Sequence, residues 1–201
     1  MGGASQSSTK PCCATSPGAR GKYWGIAGDD RDTTYVIVRN AISESDLVLI
    51  TGGVSMGDFD FVPSVLERAG VNILFSRVNI QPGKPTTFGV HPKALVFGLP
   101  GNPVSSFLQF EMLVRPLICR MMGYNLHQLS VNLPMETSFT RKSADKLALV
   151  PVIITDDGSA LPVEYHGSAH ISSLAQAEGI ITIPVGKTTI EKGEVVSVRQ
   201  I

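Results

Sequence analysis

The composition excludes several classes of function before any motif is considered. The 201 residues balance 17 Lys and Arg against 17 Asp and Glu, and 43% of them are hydrophobic, which is typical of a soluble globular protein. Because the formal net charge is +0 and no apolar run approaches the roughly 18 residues that span a bilayer, we expect no binding to nucleic acid or to a membrane. The 3 cysteines show no CxxC spacing and indicate a reducing, cytoplasmic setting.

The first 22 residues differ from the rest of the chain. They are rich in Ser, Gly, Ala and Pro, and no acidic residue precedes Asp29. They lack the apolar stretch of roughly 7 to 15 residues that a secretory signal needs. We therefore expect residues 1–22 to form a disordered leader.

Alternating strands and helices are predicted next. Tyr23–Ala27 is predicted as a short strand, and 31–43 as a helix, although its β-branched residues favour a strand on propensity alone. The helix is preferred because acidic residues suit its first turn, and because two strands so close together would leave no crossover connection. A strand over 46–51, a helix over 60–69 and a strand over 71–79 follow.

The segment up to residue 123 completes one predicted domain. A loop over 81–89 leads to a strand over 94–98 and then to a long apolar helix that ends near Met122. Pro116 lies inside that helix and should kink or break it, and Gly123 should end it. The alternation predicts a largely parallel, three-layer α/β domain over 23–123.

A second domain is predicted from 126 to the end of the chain. Its sequence consists of short segments with the alternating pattern of strands, which is typical of a small all-β barrel or sandwich. The predicted strands cover 130–139, 147–154, 160–165, 180–185 and 194–199. A polar loop that runs into a short helix is predicted to interrupt them at 165–179.

The segment Leu47–Phe61 has the form of an anion site. A buried strand runs into a turn that contains Gly52, Gly53 and Gly57, and a helical pattern follows. Glycine lets the backbone approach a ligand closely, and the amides and dipole of a helix N-terminus favour negative charge. Ser55 adds a hydroxyl to this turn, and Asp58 and Asp60 add carboxylates.

A second turn of the same kind follows the strand at 94–98. Its residues are Pro100, Gly101, Asn102 and Pro103, and Pro103 suits the first position of the next helix. In an α/β sheet, ligands bind outside the carboxyl ends of the strands. We therefore expect both turns to face one cleft.

Four segments together resemble one family. They are TGGVSMGDFDF at 51–61, PGKPTTFG at 82–89, GLPGNPVSS at 98–106 and GSAHISSLAQAEG at 167–179. In their order and spacing they look like the molybdopterin molybdenumtransferases, MoeA and the gephyrin E domain. The resemblance covers about residues 23–201 and corresponds to the last two of the family's four subdomains. It implies a molybdopterin-binding (MogA-like) α/β domain that is incomplete at its N-terminus, followed by a small β-barrel domain.

The resemblance implies a reaction and its participants. Members of the family insert molybdate into the dithiolene of adenylylated molybdopterin and release AMP in a Mg²⁺-dependent step of molybdenum cofactor biosynthesis. Molybdopterin and molybdate are then substrates and Mg²⁺ is the cofactor. A homodimer is implied, and so is an interaction with a molybdopterin adenylyltransferase.

The residues receive roles from this chemistry. The backbone amides of 52–57, with Ser55, would hold the pterin phosphate, and Asp60, with Asp58, would hold Mg²⁺. Lys84 would neutralise molybdate or phosphate, so that Asp60 and Lys84 are the predicted catalytic residues. The remaining predicted binding residues are Pro100, Gly101, Asn102, Pro103, Ser105 and, from the barrel, the neutral donors Ser168, Ser172 and Ser173.

Other interpretations stay open at this point. Asp60 could be only a helix N-cap, Ser105 an ordinary first-turn residue, and Lys84 a solvated charge. The chain could be a catalytically silent molybdopterin-binding or scaffold fragment of the family. It could also resemble the molybdopterin adenylyltransferases, although the sequence VSMGDFDF and residues 126–201 argue against that relationship.

Overall fold

The computed structural model describes residues 18–28, 30–53, 61–163 and 174–201. The described chain forms two compact units. The α/β unit contains the residues up to Val78 together with Gly83–Tyr124, and the β unit contains Asn79–Pro82 and Asn125–Ile201. The short segment 79–82 therefore belongs with the C-terminal part of the chain, which the predicted boundaries did not include.

Within its described residues, the α/β unit contains four helices, four strands and one π-helical segment. The helices are α1 (Arg31–Glu44), α2 (Val62–Arg68), α3 (Pro103–Gln109) and α4 (Arg115–Met121), and the π-helical segment is Phe110–Val114. The strands are β1 (Leu47–Thr51), β2 (Asn72–Phe75), β4 (Thr87–Val90) and β5 (Leu95–Leu99). The strand β3 (Ile80–Gln81) pairs within the β unit.

The sheet of the α/β unit is mixed, so the prediction of a largely parallel sheet was wrong. Its order is β1-β5-β4-β2, in which β1 and β5 run parallel while β5-β4 and β4-β2 run antiparallel. The reason is the strand β4, which the sequence interpretation placed in a loop. A tight turn at His91–Ala94 joins β4 to β5, and such a turn can only connect antiparallel strands.

Helices cover both faces of this sheet, which confirms the three-layer α/β architecture. One core lies between the sheet and α1 and α2, and includes Val38, Val48, Leu66 and Val96. The other lies on the face of α3, the π-helical segment and α4, and is built around Phe97, Leu99, Phe110 and Val114. Val96 and Phe97 lie in different cores because successive side chains of a strand point to opposite faces.

The first helix confirms one prediction, and the segment before it contradicts another. Helix α1 covers Arg31–Glu44 because Asp30 caps it: its carboxylate accepts a hydrogen bond from the Thr33 amide at 2.7 Å. The segment Tyr23–Ala27 forms no strand, because Gly25 has a positive φ of 94°, which breaks the extended backbone of a strand.

The long apolar helix is interrupted as Pro116 requires. The π-helical turn at Phe110–Val114 separates α3 from α4, and Pro116 occupies the first turn of α4. Proline has no amide hydrogen to donate to the carbonyl of the preceding helical turn. The π-helical turn accommodates the hydrogen bond that is missing there. Helix α4 ends before Gly123, whose φ is 77°.

The β unit is a sheet that closes on itself, and its described strand pairs are antiparallel except for the parallel pair that includes β3. Its strands are β3, β6 (Ser130–Pro134), β7 (Phe139–Thr140), β8 (Leu147–Ile154), β9 (Ala160–Pro162), β10 (Gly179–Ile183), β11 (Thr189–Ile190) and β12 (Val195–Gln200). The main order is β3-β8-β10-β12-β6, with β9 on β8 and a separate β7-β11 pair. A bridge between Met135, which follows β6, and Ala160 of β9 links the β6 end of this order back to the strand beside β8, and this confirms the predicted small barrel.

The core of the β unit lies on one face of its strands. Val150, Val152, Ile181, Ile183 and Val198 pack there, as expected where alternate residues of a strand face inward. Among the described residues of the whole chain, no helix is both long enough and apolar enough to cross a membrane.

Candidate functional site

A concave site lies at the carboxyl ends of β1 and β5. We call it the strand-end hollow; its volume is ≈ 380 Å³. Its walls are Gly52, Gly53, Gly83, Pro85, Pro100, Gly101, Asn102 and Ser105. All of these residues belong to the α/β unit, and none carries a charged side chain.

Two glycine turns meet at this hollow because β1 and β5 are parallel neighbours. The Gly52 amide donates to the Leu99 carbonyl at 3.0 Å, which ties the end of one strand to the end of the other. A Cβ built on Gly101 would lie 3.4 Å from the Cα of Gly52, at the near limit of ordinary van der Waals contact. The two glycine turns therefore lie close together, and glycine leaves their backbone accessible to a ligand.

Helix α3 begins at the same hollow and is capped by Asn102. The Asn102 Oδ1 accepts from the Ser105 amide at 3.1 Å and lies 3.3 Å from the Ser105 hydroxyl. The Ser106 amide donates to the Asn102 carbonyl, and Pro103 has no amide hydrogen. The Val104 amide is the first-turn donor that these bonds do not use, and the positive end of the helix dipole lies there.

The third wall of the hollow is the turn Gly83–Pro85. Lys84 lies between two residues that line the hollow, and its side chain is exposed. Its carbonyl accepts from the amides of Val78 at 3.0 Å and Thr86 at 2.9 Å. The backbone of Lys84 is thus fixed while its ammonium is available to solvent and ligand.

The structure brings most of the described site residues together. Gly52, Gly53, Pro100, Gly101, Asn102 and Ser105 line the strand-end hollow, and Lys84 is adjacent to it. Pro103 begins α3 but is not part of the wall. Ser55, Gly57, Asp58, Asp60, Ser168, Ser172 and Ser173 lie outside the described residues, so their roles stay predictions.

Sequence reasoning missed part of the wall and its support. Gly83 and Pro85 line the hollow, and they belong to the PGKPTTFG segment that had drawn attention only to Lys84. Behind Gly83 lies Gln109, which is fully buried. The one available signal for Gln109 was its polar side chain between the apolar residues Leu108 and Phe110.

A second concave surface lies in the β unit. We call it the β-unit groove; it has a volume of ≈ 520 Å³, and its charged lining residues are Lys187, Glu194 and Arg199. Lys187 and Glu194 form an ion pair, which lowers the pKa of the Glu194 carboxyl, and the Glu191 amide lowers it further. Arg199 donates to the Gln128 side chain at 3.2 Å.

Neither a shifted pKa nor a cluster of metal-binding side chains identifies the described part of the hollow. Asp145, in the β unit, has a pKa lowered to about 2 by the Ser143 hydroxyl and then by Lys146. Within the described ranges, no group of three His, Cys, Asp or Glu side chains could hold a metal ion. The described part of the hollow offers backbone amides, the Asn102 side chain and the Ser105 hydroxyl, and such donors suit an anion.

Comparisons with known proteins point to one kind of protein. Residues 12–120 match the family described as a probable molybdopterin binding domain, and residues 133–201 match the MoeA C-terminal region (domain IV). The chain is 32% identical over 188 residues to a molybdopterin molybdenumtransferase of Bacillus subtilis, a match that covers 92% of this chain and 44% of that protein. It is 31% identical over 176 residues to the protein of the same name from Staphylococcus epidermidis, covering 86% of this chain and 42% of that protein.

A solved structure supports the same relationship. The molybdopterin biosynthesis MoeA protein from Pyrococcus horikosii matches with a TM-score of 0.78 and 30% identity, over 91% of this chain and 44% of that one. The chain therefore spans less than half the length of the relatives that it matches.

Proposed function

The chain belongs to the MoeA family of molybdopterin-binding proteins, and we propose that it acts in molybdenum cofactor biosynthesis by binding molybdopterin in the strand-end hollow. The observation that carries the proposal is the meeting of two glycine turns and the start of α3 around one space of ≈ 380 Å³. Amides and a helix N-terminus that converge on one space favour a phosphorylated ligand.

The proposed reaction is the insertion of molybdate into adenylylated molybdopterin with release of AMP. Both substrates are anions, and the protein has a formal net charge of +0, so positive potential must be concentrated locally. The turn at Gly52–Gly53 would hold the pterin phosphate, and Asn102 and Ser105 would orient it. Lys84 would neutralise molybdate beside the dithiolene, so that catalysis is mainly positioning and electrostatic stabilisation.

Mg²⁺ is the cofactor in this proposal, and its ligands would be Asp58 and Asp60. Carboxylate oxygens are what Mg²⁺ prefers, and none of the described residues that line the hollow is acidic. When bound, the ion would neutralise phosphate charge. The described residues have their own task, which is to bind and orient the pterin and the oxyanion.

The proposed partners follow from the substrate. Adenylylated molybdopterin would come from a molybdopterin adenylyltransferase, and direct transfer from that enzyme in the cytoplasm would protect it. A homodimer is proposed by analogy with the family. The match of residues 133–201 to MoeA domain IV favours a molybdenumtransferase over an adenylyltransferase.

The test is a turnover assay with the purified chain. Adenylylated molybdopterin, molybdate and Mg²⁺ are added, and AMP is quantified by chromatography while active cofactor is assayed by reconstituting a molybdenum-dependent apoenzyme. We expect AMP release that depends on molybdate. Binding of molybdopterin without turnover would support a silent fragment, and no binding at micromolar concentration would overturn the proposal.

A further inference from the structure

The turn that presents Lys84 is held by its own hydrogen bonds. Thr86 is fully buried, and its hydroxyl donates to the Gly83 carbonyl at 2.7 Å. The amides of Val78 and Thr86 both donate to the Lys84 carbonyl. A buried side chain that satisfies a backbone carbonyl costs stability when it is removed, because the carbonyl is then left without a partner.

Gln109 supports the same turn from the other side. Its side chain is fully buried and occupies the space beside the Gly83 backbone. A Cβ built on Gly83 would lie 2.3 Å from Gln109 Nε2 and 2.5 Å from Cγ. Gly83 can therefore move no closer to α3, and the wall of the hollow has one well-defined position.

These contacts have a consequence for the exposed lysine. A long, flexible side chain binds an anion more tightly when the backbone that carries it is already fixed. Otherwise the conformational entropy of that backbone is also lost on binding. We propose that Thr86 and Gln109 are positioning residues that hold the Gly83–Pro85 turn so that the Lys84 ammonium stays beside the strand-end hollow. The proposal rests on the function proposed above, because it assigns Lys84 to the molybdate.

Two neighbouring threonines provide a matched comparison. Thr86 and Thr87 are both fully buried, but the Thr87 hydroxyl has no hydrogen-bond partner in the part of the chain that the structure describes. Thr86→Val removes the bond to Gly83 and keeps the side-chain shape, whereas Thr86→Ser keeps the hydroxyl. Thr87→Val makes the same chemical change without removing a bond.

Amide hydrogen exchange tests the turn without any ligand. The Val78 amide donates to the Lys84 carbonyl and reports whether the turn is closed. We expect Thr86→Val to speed its exchange about fivefold, and Thr86→Ser and Thr87→Val to change it less than about twofold. Equal rates in Thr86→Val and wild type would overturn the inference.

A double-mutant cycle tests the link to Lys84. In the turnover assay, Thr86→Val should raise KM for molybdate about fivefold with kcat within about twofold of wild type. In a Lys84→Ala background the same substitution should change KM less than about twofold, because the group that it positions is absent. A general loss of structure would instead produce the same change in both backgrounds, and that result would contradict the positioning role.

Gln109 is tested by two further variants. Gln109→Ala leaves a space behind Gly83 and should speed exchange of the Val78 amide about fivefold, whereas Gln109→Met fills the space and should restore it. Unchanged exchange in Gln109→Ala would remove Gln109 from the proposal. If the wild-type chain neither binds molybdopterin nor turns over, the proposed function fails, and the exchange rates alone decide whether Thr86 and Gln109 hold the turn.

Discussion

The two concave surfaces of the molecule differ in what lines them. The strand-end hollow of the α/β unit is lined by glycine and proline turns, one asparagine and one serine. The larger β-unit groove contains charged side chains, of which Lys187 and Glu194 pair with each other and Arg199 bonds to Gln128. An ion that entered the groove would have to compete with these pairs.

If the proposed function holds, volume and charge do not identify the binding site by themselves. The described wall of the smaller hollow carries no ionised side chain, yet two glycine turns and the start of a helix meet there. Such dipoles are fixed by the fold and need no rearrangement when an anion binds. The predictions below test whether the hollow, and not the groove, is the functional surface.

The largest effect is expected from a methyl group in the wall of the hollow. Gly83→Ala places a Cβ 2.3 Å from Gln109 Nε2 at a φ of 111°, so it adds both a clash and backbone strain. We expect the free energy of unfolding, measured by urea denaturation, to fall by about 3 kcal/mol. Gly186→Ala in the β unit has a φ of 90° but no atom within 4 Å, and should cost only about 1 kcal/mol. Equal losses would show that the wall is not tightly packed.

The next effect separates the two surfaces by charge. Lys84→Ala should raise KM for molybdate about tenfold, since it removes an exposed cation that forms no ion pair with the described residues. Lys187→Ala, which removes half of an ion pair in the groove, should leave KM within about twofold. The measurement is KM for molybdate in the turnover assay of both variants. A larger increase in Lys187→Ala than in Lys84→Ala would indicate that the β-unit groove is the functional surface.

A smaller effect is expected at the start of α3. Asn102→Ala removes the cap on the Ser105 amide and should lower the free energy of unfolding by about 1 kcal/mol, measured by urea denaturation. Asn102→Asp keeps an acceptor there and should retain that stability, but its charge should weaken molybdopterin binding. If Asn102→Asp bound molybdopterin as tightly as wild type, the ligand phosphate would not lie at this turn.

The smallest effect concerns acid and the β unit. The Ser143 hydroxyl, and then Lys146, hold the pKa of Asp145 at about 2, below the ordinary value of 3.8. Because its pKa is lower in the folded state, this carboxylate contributes its full stabilisation of the fold when the pH is above 3.8. That contribution is lost as the pH falls towards about 2. When the pH is lowered from 3.8 to about 2, the melting temperature of Asp145→Asn should therefore fall less than that of wild type. An NMR titration that placed the Asp145 carboxyl near 3.8 would contradict this account.

The sequence predicted those features that depend on neighbouring residues. The glycine turns at Gly52–Gly53 and Gly101 were located correctly at strand ends, because glycine and proline mark local changes of backbone direction. Helix α1 was predicted within one residue at its end, since an acidic cap outweighed the β-branched residues that follow it.

Features that depend on distant contacts were not predictable. Strand β4 was taken for a loop because its four residues follow a run of glycine and proline, and only pairing with β5 and β2 makes it a strand. The predicted strand at Tyr23–Ala27 has no pairing partner in the described structure. Gln109 and Gly83 are far apart along the chain, so their contact depends on packing that no local pattern encodes.

The most direct test of the central claim is a hydrogen-exchange footprint of the purified chain with and without adenylylated molybdopterin. We predict that the ligand protects the amides of Gly53, Gly101 and Val104, which surround the strand-end hollow or begin its helix. Protection confined to the β-unit groove, around Lys187 and Arg199, would contradict the assignment of the site.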